Sequence, residues 1–237
     1  MPDRIILINK PYRWTSFDVV KKLRKPLLEE RKRELAPAER SGIKKLKVGH
    51  AGTLDPLATG LLILCSGKLT RQISEIQNDE KEYTGTMTIG SITDSFDLET
   101  PPHSFLSIDN ISEEKIYSVA ASFWGNQLQT PPIHSAKKID GKRAYEKARK
   151  GEIFEMKSQS INISAFDITL ISLPEISFRI VCTKGTYIRS LIHDFGQRLT
   201  TGAHLSALCR TRIGSYCIED ALTPDEFLSQ LSEKQYI

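Results

Sequence analysis

Val48-Gly-His-Ala-Gly-Thr-Leu-Asp-Pro-Leu-Ala-Thr-Gly60, continued by Leu61-Leu-Ile-Leu-Cys-Ser-Gly67, is the stretch on which the reading of this chain turns. The second half is an apolar run bounded by glycines, the pattern of a buried strand. The first half sets Gly49, Gly52 and Gly60, with His50 and Asp55, beside Pro56. Glycine permits left-handed backbone and close approach, so this half reads as a tight loop that lets another molecule come near. Asp55 is its only carboxylate. An Asp before Pro often makes an Asx turn, which gives Asp55 a purely structural role. The competing role is a carboxylate nucleophile or base in an apolar-walled cleft, and that needs a cationic partner to stay ionised.

Outward from the loop, Ile5–Ile8 reads as a strand stopped by Asn9-Lys10-Pro11. Ser16 or Asp18 caps a helix through Val19, Val20 and Leu23, which Pro26 interrupts. Residues 26–47 read as an exposed, partly helical or mobile basic excursion on the partner-facing side. Tyr83–Gly90 alternates like a half-buried strand. Ser112 caps a helix with Ile116, Val119, Ala120 and Phe123 on its apolar stripe, ended by Gly125. Gln129–Pro132 is a turn, and Arg143–Lys150 a short basic helix. Ser160–Leu173 and Ile176–Thr183 form an antiparallel pair joined at Pro174. Thr186 caps a helix that buries Ile188, Leu191, Ile192, Phe195 and Leu199. A strand follows over Ala207–Ile213, and Thr223 or Asp225 starts a short terminal helix. Strands and helices do not alternate regularly, so the expected class is α+β, with a mixed sheet in a single domain over 1–237.

Charge is concentrated. Residues 21–47 carry eleven Lys/Arg against four Glu, and residues 137–150 carry seven against two acids. The whole chain is only +4, so the remainder sums to −8. Such clustering suits a polyanion such as nucleic acid as well as it suits a solvated helix face. Cys65, Cys182, Cys209 and Cys217 show no CxxC spacing and no His partners at ligand intervals, which points to a reducing, cytoplasmic setting and no metal. The apolar N-terminal run is too short for a signal peptide or membrane span.

Gly60 to Gly67-Lys68 fails as a phosphate loop: six residues separate its glycines where four are required, and Leu69 stands at the Ser/Thr position. GxSxG, HExxH and the deaminase HxE…CxxC patterns are absent. A protein without metal or cofactor is the expectation left.

Gly49-His-Ala-Gly-Thr-Leu-Asp-Pro-Leu-Ala-Thr-Gly60 resembles the G-H-x-G-x-L-D-P-x-A-x-G motif of the TruB family of tRNA pseudouridine synthases. Further blocks match in order. Lys10-Pro11 with Thr15-Ser16 resembles K-P-x-G-x-[ST]-S, and Lys81-Glu-Tyr83 resembles K-x-Y. Gln129–Lys137 with Gly141–Tyr145 resembles Q-x-P-P-x-[YF]-S-A-x-K. Lys184–Ser190 and Gly202–Leu205 complete the set, spanning roughly residues 5–215. The resemblance implies the pseudouridine synthase fold: a mixed, mainly antiparallel sheet flanked by helices, with a central active-site cleft. It implies an isomerase that converts the T-loop uridine (position 55) of tRNA to pseudouridine with no cofactor, flipping the base out to reach it.

By the same resemblance Asp55 is the catalytic residue, whether it attacks sugar or base or abstracts a sugar proton. Tyr83 offers a ring for the flipped uracil to stack on. Arg189 pairs with the aspartate, Tyr187 and Leu208 line the pocket, and His50 positions the T-loop. Lys10 and Gly49 belong with the substrate-binding set. Arg13 departs from the family glycine, implying a different turn backbone, and His134 stands where an aromatic ring is common. The chain ends where many relatives append an RNA-binding domain of the PUA type. The basic stretches 21–47 and 137–150, with Arg31, Lys32 and Arg33 foremost, are expected to compensate through phosphate contacts. The implied partner is tRNA alone, met by a monomer away from membranes. The rival readings are a tRNA-folding chaperone and the catalytic subunit of a guide-RNA-dependent synthase.

Overall fold

The computed structural model describes residues 3–36, 44–133, 135, 137–139, 141–144, 147, 152 and 154–233. In chain order the elements are β1 (Ile5–Lys10), α1 (Ser16–Arg33), β2 (Val48–His50), β3 (Thr59–Ser66), α2 (Ile73–Ile76) and β4 (Lys81–Ile89). Then come α3 (Glu113–Ala121), β5 (Gly125–Gln129), β6 (Lys138–Ile139), β7 (Lys142–Arg143), β8 (Gln159–Ser172) and β9 (Glu175–Cys182). The last are α4 (Ile188–Leu199), β10 (Ala203–Ile213), β11 (Tyr216–Cys217) and α5 (Pro224–Glu233). The chain divides into two compact units, one of residues 1–81 with 209–237 and one of residues 82–208. The pairing is mixed and mainly antiparallel, as the sequence implied.

In the first unit β3 carries the apolar run. It pairs antiparallel with the whole of β1, from Ile5 opposite Cys65 to Lys10 opposite Gly60. Its other edge takes β2 at Leu64–Ser66 and, in parallel, β10 at Thr59 and Gly60. Alternate side chains point to opposite faces. Ile6, Ile8, Leu62 and Leu64 meet α1 and α5 on one side, and Leu61, Ile63 and Cys65 meet Ala51, Ile76 and Ile213 on the other. Burial on both faces is why this strand reads as continuous hydrophobicity.

Helix α1 runs straight through Pro26, contrary to expectation. A proline inside a helix costs about 3 kcal/mol. Val19, Val20, Leu23 and Leu27 are all buried against Phe227 and Leu231, each worth about 1.5–3 kcal/mol, so packing wins. Residues 26–33 of the expected excursion are therefore helix on the core, and residues 37–43 lie outside the described residues. The cap is neither Ser16 nor Asp18. Thr15 caps α1, its hydroxyl accepting from the Asp18 N–H at 3.1 Å while the Asp18 carboxylate accepts from the Thr15 N–H at 2.9 Å.

In the second unit the strand order is β10-β4-β9-β8-β5. β8 and β9 form the expected antiparallel pair, and β5 adds to β8. The apolar stripe of α4 is buried as expected, with Phe195 against Phe123 and Phe166. Tyr187, not Thr186, stands at its N-cap position. Ser112 does cap α3, accepting from the Lys115 N–H. That helix ends at Ala121, before Gly125, whose φ of +85° opens β5 instead. Lys142–Arg143 pairs with Lys138–Ile139 as a ribbon, so the expected basic helix does not include Arg143, while Ala144 and Lys147 within it are helical. Residues 145, 146 and 148–150 of that expected helix, with His134, lie outside the described residues.

Candidate active site

Asp55 sits half-buried in the turn between β2 and β3, its carbonyl accepting from the Ala58 N–H at 3.1 Å. The backbone on each side of it is fixed. Before it, the Ser16 hydroxyl accepts from the Leu54 N–H at 2.8 Å and donates to the Leu54 carbonyl at 3.2 Å. After it, the Pro56 carbonyl accepts from the Arg13 N–H at 2.8 Å and from Lys10 Nζ at 3.3 Å. The N-terminal block and the aspartate loop are thus one structure.

Lys10 is fully buried, and its ammonium also donates to the carbonyls of Pro11 at 3.0 Å and Trp14 at 2.5 Å. Burial pushes its pKa from 10.5 down to about 8, against the pull of the Asp55 charge upward. Arg13 holds a φ of +66°. The turn therefore keeps the left-handed backbone that glycine favours, with an arginine in it, rather than the different conformation its side chain suggested.

Arg210, on β10, is the residue the sequence did not single out. Its guanidinium is buried and donates to three carbonyls of the loop and strand: Leu61 at 2.8 Å, Gly52 at 3.1 Å and Thr53 at 3.4 Å. It fills the gap between the loop and β3. The loop glycines serve this arrangement. A Cβ on Gly60 (φ +101°) would lie 2.6 Å from the Arg210 backbone nitrogen. A Cβ on Gly49 would lie 2.8 Å from Ile73 Cδ1. The close approach these glycines permit within the first unit is to the chain itself. His50 follows on β2, and burial first, then the Arg210 charge, holds its pKa below 6.5.

In the second unit Tyr83 is buried on β4, Tyr187 is half-buried at the start of α4, and Leu208 is half-buried on β10. Gln129 binds the Tyr187 backbone from both sides, its Nε2 donating to the carbonyl at 3.0 Å and its Oε1 accepting from the N–H at 2.8 Å. The Ser190 hydroxyl donates to the Thr130 carbonyl at 3.0 Å. The Gln129-Thr-Pro-Pro block therefore anchors the turn of helix that carries Arg189.

Arg189 is buried, donates to the Ser95 carbonyl at 3.2 Å, and has its Nε 3.6 Å from Asp97 Oδ2. Asp97 is buried as well, and its other oxygen accepts from the Glu99 N–H. The sequence reading missed Asp97; its signal was that a buried arginine requires a buried carboxylate. Phe96, at φ +63°, stacks on His193 at 3.9 Å, one helical turn from Arg189.

Two family models cover most of the chain. The TruB family pseudouridylate synthase N-terminal domain matches residues 40–188, and the tRNA pseudouridylate synthase B C-terminal domain matches residues 189–236. The chain belongs to the TruB family. Among its relatives, tRNA pseudouridine synthase B of Flavobacterium johnsoniae is 49% identical over 92% of this chain and 92% of its own length. That of Phocaeicola vulgatus is 44% identical over 98% of this chain and 94% of its own. Among solved structures, one titled as a Cbf5-Nop10-Gar1 complex superposes with a TM-score of 0.69 at 27% identity. It is matched over 98% of this chain, and this chain spans 55% of the solved one. Among the described residues of this TruB family member, no helix is long and apolar enough to cross a membrane.

Proposed function

We propose that this chain is a tRNA pseudouridine synthase that isomerises the T-loop uridine at position 55, with Asp55 as the catalytic residue. The observation that carries the proposal is the immobilised Asp55 turn: Leu54 and Pro56 are both held, by Ser16 and by Arg13 and Lys10. A carboxylate whose backbone neighbours are fixed loses little entropy on reaching its reacting geometry. The named relatives, matched over nearly their whole length, support tRNA as the substrate.

In this reading the uridine leaves its stack and enters a cleft beside Asp55. Tyr83 stacks on the uracil, Tyr187 and Leu208 wall it in, and Arg189 supplies the arginine that the family resemblance assigns to the site. His50 and Gly49 steady the loop of the RNA, and Lys10 keeps positive charge near the aspartate. Asp55 begins the reaction at the sugar or the base, the N1–C1′ bond breaks, the uracil turns, and C5 bonds to C1′. The C5 proton is then lost and N1 gains one, so atoms and electrons balance without a cofactor. The chain acts as a single domain over 1–237 and as a monomer on tRNA alone, in the cytoplasm.

Tritium release from C5-labelled uridine in a tRNA transcript tests this. Release from the normal transcript, and none when only the T-loop uridine is replaced, is the expected pair. A folded chain that binds and refolds tRNA with no release is a chaperone instead, and release that needs an added guide RNA marks the guide-dependent class.

A further inference from the structure

At the end of β3 remote from the Asp55 turn lies a concavity of about 430 Å³ whose rim is basic. It is lined by Arg31, Lys44, Lys45, Lys47, Lys68 and Arg71, with Asp3 as the one acid. Arg31 is 3.3 Å from Asp3, and that pair cancels. Lys44, Lys45, Lys47, Lys68 and Arg71 are exposed, and among the described residues they make no ion pair. These five cations, without an ion pair among the described residues, gather positive charge around one hollow, a field that favours an anion.

The walls are built rather than loose. Leu46 is buried in the core between the outward Lys45 and Lys47. The Gly67 N–H donates to the Lys47 carbonyl at 2.9 Å, which locks the Lys44–Lys47 segment to the turn bearing Lys68 and Arg71. Val48 opposite Ser66 extends that junction into the sheet. The lining holds no aromatic ring and no side-chain amide, and its mostly lysine cations suit phosphates.

We infer that this concavity is a second contact for the RNA, gripping backbone phosphates at a distance from the reacting base. Eight residues of β3 separate it from the Asp55 turn, about 23 Å at 3.3 Å per step. Of the basic stretch 21–47 expected from the sequence to meet phosphates, Lys44, Lys45 and Lys47 line this concavity, whereas Arg31 and Lys32 are paired with Asp3 and Glu29. The inference rests on the tRNA reading above, and the test separates the two.

The triple variant K44A/K45A/K68A and its charge-conserving counterpart K44R/K45R/K68R are compared with the unaltered chain for tRNA binding across a salt series. Turnover is measured at saturating tRNA. Loss of three phosphate contacts flattens the slope of log affinity against log salt by about 2 to 3 and raises KM. The kcat stays unchanged, the arginine variant keeps the original slope, and K32A alone moves the slope less. An unchanged slope in the alanine variant overturns the inference and leaves these as solvated lysines, as does a kcat loss without a slope change. If the unaltered chain binds tRNA with the slope intact yet makes no pseudouridine, the functional reading fails and the phosphate site stands.

Discussion

Ser16 Oγ engages both backbone groups of Leu54, the residue immediately before Asp55, at 2.8 and 3.2 Å. The start of α1 and the distant Asp55 loop are thereby joined. Replacing Ser16 by Ala strands a buried N–H and carbonyl. The expected loss is about 1–3 kcal/mol of stability, seen as a lower urea midpoint. Because the Asp55 turn loosens, kcat falls while KM for tRNA holds.

Arg210 is expected to be as important as any residue named from the motifs. Arg210→Met removes the only described guanidinium bridging Gly52, Thr53 and Leu61, and turnover drops. Arg210→Lys restores charge but not the three-way fork, so its turnover stays below that of the original chain. A separate readout follows from electrostatics. The Arg210 charge depresses His50, so the His50 pKa rises in Arg210→Met and falls back in Arg210→Lys, as followed by NMR titration of the imidazole.

Lys10 gives stability a signature in alkaline solution. Folded, it releases its proton near pH 8; unfolded, near 10.5. Between those values the unfolded chain binds more protons, so the Lys10 contribution to stability rises with pH through that window. The limit is about 1.4 kcal/mol per pH unit. Below pH 8 both states are protonated and the full cost of burying the charge is present. Subtracting the urea-derived stability of Lys10→Met from that of the original chain, pH by pH, isolates this rise.

Asp97→Asn removes the buried carboxylate facing Arg189. Breaking such a pair leaves an under-compensated buried charge, at a cost of about 3–5 kcal/mol. Lower thermal stability and lower kcat are expected together. Asp97→Glu, which keeps the charge, recovers part of the stability.

Much of the fold was legible because burial writes a period into sequence. The two-sided burial of β3 appears as an unbroken apolar run, and the α4 stripe repeats at helical spacing. What was not legible depends on partners distant in the chain. Pro26 looked like a helix end because its local cost is visible and the compensating Phe227 and Leu231 are two hundred residues away. Thr15 was passed over as a cap because Ser16 beside it is an equally good one in isolation; Ser16 is occupied by Leu54. The Asp55 loop was legible by its ordered motif. The cations that hold it were not recognised as such, because Lys10 lies in a different block and Arg210 sits in a strand with no composition to mark it.

The measurement that bears most directly on the central claim is a paired assay of Asp55→Asn, with tRNA affinity and pseudouridine formation read on the same folded sample. The substitution keeps the size of the side chain and removes its negative charge. The account predicts tRNA affinity close to that of the original chain and no detectable isomerisation. Turnover within about ten-fold of the original, a barrier change of only about 1.4 kcal/mol, would contradict it and move the chemistry away from this loop.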